Sequence, residues 1–310
     1  MPKASWARYG EWSGIRIRGV HPVKPGFPPT EWDVVMAAIC APESGMYDTI
    51  VSYDGTGMTA GMFQWTLTSG RLQKLLYSML LYVPSLWHRF REDLAESGIV
   101  ARQEQGDSIL FLDAETQHEA KGKAAIRGLF TAPGGKVPRS GVGHDRAVAI
   151  AQTFYRLFSH KFSHWVQQRF AYEEMRREMS IGRPNLGGAS AAEILGIFPR
   201  ASIEIVPSST QAIAAWAMYA AMWQNGPRAA EKVLLRASKS EYYVRFDLFR
   251  YFRNSRYANW GVSKCAKCAK CGWQNDDDAA RCHHCRATLR TSRYTKVARA
   301  INGILGEVIK

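Results

Sequence analysis

Acidic residues are scarce in this chain: 27 Asp and Glu stand against 41 Lys and Arg, a formal net charge of +14. That balance draws a protein toward polyanions such as nucleic acid, anionic lipid or a charged bacterial envelope. The excess is uneven, with fifteen basic and six acidic residues from Ala237 to Lys310. Long apolar runs are missing as well; none approaches the roughly 18 residues that a membrane span needs, so no transmembrane segment is predicted. The opening MPKASWARYGEWSGIRIRG alternates Trp and Tyr with Arg where a signal peptide would carry an apolar block. Cytoplasmic synthesis without a signal peptide is therefore expected. No His-Glu-x-x-His helix, Walker loop or dinucleotide fingerprint occurs, which removes the common zinc protease and nucleotide-binding classes. Disorder is excluded for most of the 310 residues, because 46% are hydrophobic and only 22% charged.

Cysteine is nearly absent until late in the chain. Cys40 stands alone, and then Cys265, Cys268, Cys271, Cys282 and Cys285 fall close together. Clustered C-x-x-C knuckles suit tetrahedral zinc, whereas a disulfide framework spreads its cysteines through a small secreted fold. The spacing Cys268-x2-Cys271-x10-Cys282-x2-Cys285 predicts a structural zinc ribbon or finger over 262–288, with Cys265, His283 and His284 as alternative ligands. Four thiolates leave no open position for water, so catalytic zinc is not expected. Lys264, Lys267, Lys270, Arg281, Arg286 and Arg290 surround the cluster and could contact phosphates of nucleic acid.

The rest reads as α+β and mainly helical. Residues 1–29, rich in proline and glycine, are expected to form an extended N-terminal arm. Thr30 and Asp33 have the spacing of a capping box, starting a helix with Trp32, Val35, Met36, Ile39 and Cys40 on one stripe up to Pro42. Residues 46–65 read as a short β-hairpin or wing. Helical periodicity then covers Leu72–Val83, Pro84–Ser97, Glu115–Leu129, Asp145–Phe158, Phe162–Met179, Ala191–Phe198, Ser209–Trp223 and Arg228–Ala237. An aromatic-basic helix over 241–254 closes a domain of residues 30–255. Beyond the cysteines, 289–310 carries Val297, Ile301, Ile304, Leu305 and Val308 on one stripe and should pack on a neighbour or lie on a membrane surface.

Chemistry concentrates in ESGMYDTIVSYDGTGMTAGMFQW, residues 43–65. Glu43 lies at a helix end and Asp54 on a glycine-rich wing, with Thr59 five residues on and Asp48 as a competing second carboxylate. Two carboxylates in different surroundings are what glycoside hydrolysis requires, one held protonated as acid and one ionised. An ordinary hairpin turn at Asp54-Gly55 and a capping role for Glu43 are the plain alternatives.

This stretch resembles the lysozyme superfamily. Glu43-Ser44 and Gly61-Met62-Phe63-Gln64 are similar to the Glu-Ser and Gly-Leu-Met-Gln motifs of lytic transglycosylases and goose-type lysozymes. Asp54 to Gly61 is similar to the Asp-Gly-x-Gly-x-Thr-Ala-Gly wing of inverting chitosanases. The resemblance implies a lysozyme-like domain cleaving the β-1,4 bonds of peptidoglycan glycan strands, with Glu43 as general acid, Asp54 as base or stabiliser and Thr59 positioning water. It also implies a sugar groove lined by Ser44, Tyr53, Gln64 and Trp65, with Asn225 in a Trp-Gln-Asn-Gly segment like the Ala-Tyr-Asn motif of transglycosylases. A phage lysis or virion protein, or a delivered effector acting at the bacterial cell wall, would fit. Lytic transglycosylase and chitosanase activities are the neighbouring alternatives. The run Gly272-Trp273-Gln274-Asn275 resembles double zinc ribbons and Ran-binding-protein-type fingers, so the rival class is a zinc-dependent nucleic-acid or protein-binding module.

Overall fold

The computed structural model describes residues 2–9, 11–26, 28–42, 45–53, 57–104, 106–131, 136–199, 205–207, 210–239, 244–255, 266–267, 274–275, 293–306 and 308–309. The fold is α+β and mostly helical, with small antiparallel sheets. Two compact units are present: residues 1–23 with 44–172, and residues 24–43 with 173–310.

The first unit is led by a sheet. Strands β1 (Ala4–Tyr9) and β2 (Trp12–Ile17) form a hairpin paired from Ala4↔Ile17 to Tyr9↔Trp12. Strands β3 (Ile50–Val51), β4 (Thr59–Ala60) and β5 (Trp65–Thr66) extend it in the order β1-β2-β3-β4-β5. The segment expected as an extended arm thus begins with a hairpin, because Trp6, Ile15 and Ile17 alternate with polar residues ahead of the prolines. Gly14 is required where β2 meets the wing, since a Cβ there would lie 2.5 Å from the Ser52 carbonyl oxygen. Ser52 continues the ladder, its N–H donating to the Ile15 carbonyl (2.9 Å) and its Oγ accepting from the Ile15 N–H (2.9 Å).

Helix α2 (Arg71–Tyr82) buries Leu72, Leu75, Leu76 and Met79, a helical stripe, and α3 (Pro84–Glu96) starts with proline at its first turn. The hairpin β6 (Ile99–Gln103) and β7 (Ile109–Asp113) follows. Residues 115–121, expected to open a helix, instead complete a turn over 114–116 and then bridge back from Glu119 to Leu112. Asp113 Oδ1 accepts from the Glu115 N–H, the Thr116 N–H and the Thr116 hydroxyl, and Gln117 takes φ +58°. A short acidic side chain that captures its own downstream backbone competes with helix formation. Helix α4 therefore spans only Gly122–Phe130, and α5 (Val142–Phe158) follows. The core is aromatic: Phe154 meets Phe90 edge-on (5.0 Å) and Phe130 (5.9 Å), and Phe130 meets Phe111 (4.8 Å). Helix α6 (Lys161–Ser180) belongs to this unit through Tyr172.

The second unit centres on a helix. Helix α1 (Glu31–Cys40) has the expected capping box, with Thr30 and Asp33 reciprocating across the first turn. It packs on α8 (Thr210–Asn225), where Ala212, Ala214, Ala215, Ala217, Ala220 and Ala221 are buried along with Trp216 and Met218. A helix apolar on every side is a core helix. Around it lie α7 (Ala191–Leu195), the pair β8 (Ile197–Pro199) and β9 (Ile205–Pro207), α9 (Pro227–Ser238) and α10 (Val244–Arg253). Gly196, at φ +66°, ends α7 before Ile197 and Phe198, which enter β8 in place of the expected longer helix. Strands β10 (Ala266–Lys267) and β11 (Gln274–Asn275) pair antiparallel. The last helix, α11 (Arg293–Leu305), buries Tyr294, Val297 and Ile301 and packs on α1 and α8, as its stripe predicts. Among the described residues no helix is long and apolar enough to cross a membrane.

Candidate functional site

The wing is built by glycines and one glutamine. Gly61 has φ +84°, and a Cβ there would lie 2.8 Å from Gln167 Oε1 and 2.9 Å from Phe158. Only glycine fits so close a left-handed turn. Just after it, the Met62 N–H donates to Oε1 of the fully buried Gln167 (3.0 Å), fastening the wing to α6. Gln64 also takes a left-handed backbone, φ +52°, and its Nε2 donates to the carbonyls of Gly61 (2.8 Å) and Thr49 (3.3 Å). Gly61-Met62-Phe63-Gln64 is therefore a clamp that fixes the wing, and Gln64 spends both described amide contacts inside it.

Thr59 opens β4 between Val51 of β3 and Thr66 of β5 and is 4% exposed. Tyr53 is half-buried. Trp65, expected at a groove wall, is 1% exposed and packs against Phe63 (5.3 Å) and edge-on against Phe170 (5.7 Å). The ring fills the core beneath the wing, because its position pairs with Ala60 on the inward side of the ladder. Glu43, Ser44 and Asp54 lie outside the described residues. Asn225 is the last residue of α8.

Arg127 on α4 was not legible as a site residue. It is 4% exposed, its guanidinium lies 3.7 Å from the centre of the Trp12 ring, and its backbone abuts Gly57, where a Cβ would sit 3.2 Å from its Cα. A cation this enclosed needs electron-rich surroundings, and the Trp12 face supplies one. Nothing in the local pattern around Arg127 signals it.

Asp48 occupies a different setting from a catalytic base. It is completely buried, its Oδ1 accepts from the N–H groups of Val20 (3.0 Å) and His21 (3.2 Å), and its Oδ2 lies 2.7 Å from His21 Nδ1. Tyr155 also bonds to it, and burial first, then the Asp48 charge, push that phenol up to about 12. The His164 ring stacks on Tyr47 at 4.3 Å and lies 5.2 Å from His21. Burial, then the neighbouring His21, hold His164 below the ordinary imidazole value. The described contacts of Asp48 tie residues 20–21 and Tyr155 of α5 to the root of the wing, so it is an anchor.

Cys268, Cys271, Cys282, Cys285, Cys265, His283 and His284 lie outside the described residues. In sequence, Cys268 and Cys271 fall between the paired strands β10 and β11. Among the described residues no group of three His, Cys, Asp or Glu side chains is placed to hold a metal. In comparison with known proteins, the chain matches no family model, no curated protein and no solved structure.

Proposed function

We propose that this protein is a lysozyme-like glycoside hydrolase that cleaves the β-1,4 bonds of peptidoglycan. The observation that carries the reading is the order of parts along the chain. A capped helix ends at Ala41, two residues before Glu43, and a three-stranded antiparallel wing follows. The first connection of that wing contains Asp54, and its middle strand opens with Thr59. In this reading Glu43 gives its proton to the leaving 4-oxygen as the glycosidic C–O bond breaks, and Asp54 takes a proton from the attacking water. Thr59 holds that water. The Met62–Gln167 hydrogen bond ties the wing to α6 three residues after Thr59, and fixed placement of a water-holding hydroxyl aids hydrolysis.

The cysteine cluster fits a closed structural zinc site by its four thiolates and by the short ladder that brackets its first knuckle. Cys268, Cys271, Cys282 and Cys285 would hold the ion, which would supply folding energy to a segment with little core. The basic region around it suits attachment to an anionic envelope or nucleic acid.

Release of soluble fragments from purified peptidoglycan tests the reading. Wild type is expected to release them, and Glu43→Gln and Asp54→Asn are each expected to lower the rate by about 10²-fold or more. Fragment release that survives Asp54→Asn would point to a lytic transglycosylase working with Glu43 alone. No release by a folded, zinc-loaded wild type would overturn the reading in favour of a binding module.

A further inference from the structure

A second feature of the first unit lies on elements that carry none of the proposed catalytic residues. At the corner between α2 and α3, facing the start of α6, an open groove of about 910 Å³ is lined by Tyr82, Pro84, His160, Lys161, Phe162 and Trp165 among others. The rings are unusually open to solvent: Phe162 is 55% exposed, Trp165 48% and Tyr82 40%. Clustered exposed aromatics mark interaction sites more often than isolated apolar residues do. Tyr82 and Trp165 meet at right angles, 5.6 Å apart and 87° between planes. The Arg169 guanidinium lies over both, 4.5 Å from the Tyr82 ring and 5.6 Å from the Trp165 ring, and Lys161 Nζ is 5.3 Å from the Phe162 ring. No lining residue bears a carboxylate.

We infer that this groove is a glycan-holding site, separate from the point of cleavage, that binds the acidic glycan strand of peptidoglycan. A pyranose presents a flat C–H face carrying slight positive charge, which is attracted to the negative face of an aromatic ring. Carboxylates of the stem peptides, or of lactyl groups that have lost their stem, supply the opposite charge to Lys161 and Arg169, so ring faces and cations suit the two halves of one ligand. A flat lipid surface fits less well, because the rings form a right-angled recess and not a projecting plane. The inference rests on the proposed substrate, although binding itself needs no catalysis.

The test is co-sedimentation of the full zinc-loaded chain with insoluble peptidoglycan sacculi, in a Glu43→Gln background so that the sacculi stay intact. Phe162→Ala with Trp165→Ala is expected to weaken binding by about 10-fold, and Lys161→Glu, which reverses one charge, by about 3-fold with a shallower salt dependence. In the Glu43 background the same variants should cleave short soluble glycan fragments at the wild-type rate. Unchanged sacculus binding in both variants would overturn the site while leaving the hydrolase reading intact if fragments are still released. Loss of binding to phosphatidylglycerol vesicles, with sacculus binding retained, would make it a membrane site and equally overturn the proposal. Groove-dependent sacculus binding with no fragment release by wild type would keep the site and remove the hydrolase reading.

Discussion

The wing of the first unit and the helical centre of the second are held by opposite means. In the first, short strands contribute few backbone bonds, and the wing depends on distant single groups: Gln167 under Met62, Ser52 against Ile15, Asp48 against His21 and a glycine at each close approach. In the second, α8 buries alanines on every side and lets α1 and α11 pack directly upon it. The polar fastenings tie the wing at single points, whereas packed aromatics in the first unit and packed alanines in the second supply the stability of each core. Thr59 and the wing fall in the first unit, whereas residue 43 is grouped with the second.

This contrast can be broken at chosen points. Gly61→Ala should cost about 3 kcal/mol, since it combines a positive φ with contacts of 2.8–2.9 Å to Gln167 and Phe158; urea unfolding measures it, and a loss under 1 kcal/mol would mean the wing is looser than described. In the second unit, Ala217→Leu should cost about 2 kcal/mol by overpacking a fully buried helix, with no separate effect on peptidoglycan cleavage beyond the lost folded fraction. The smallest effect concerns pH. His164 resists protonation in the fold because it is buried beside His21, while in the unfolded chain its imidazole titrates near the ordinary value of about 6.5. Its contribution to stability is thus present above about pH 6.5 and is lost as pH falls toward the lowered folded value. Melting temperatures followed from neutral to mildly acidic pH should fall less steeply in His164→Gln than in wild type; equal slopes would assign the acid sensitivity to other groups.

Helices whose partners recur along one face were legible in the sequence: the Thr30–Asp33 cap, the α2 stripe and the α11 stripe all stand where periodicity puts them. The β1–β2 hairpin was hidden by the prolines and glycines counted with it. The turn at Asp113 was hidden because a side chain bonding its own backbone outcompeted good helical spacing. Of the candidate site, Gly61 was legible as a turn glycine, and its close approach to Gln167 and Phe158 accounts for it. Arg127, Gln167 and the anchoring role of Asp48 were not, since a lone buried polar residue answers to partners tens of positions away and leaves no local pattern. Trp65 misled for the same reason: an aromatic beside a wing reads alike whether its ring faces sugar or core.

The most direct test of the central claim is mass analysis of the products that wild type releases from peptidoglycan in ¹⁸O-labelled water. A two-carboxylate hydrolase predicts muropeptides with a free reducing end that carries one solvent oxygen. Anhydro-muropeptides without label, or no muropeptides at all, would contradict it.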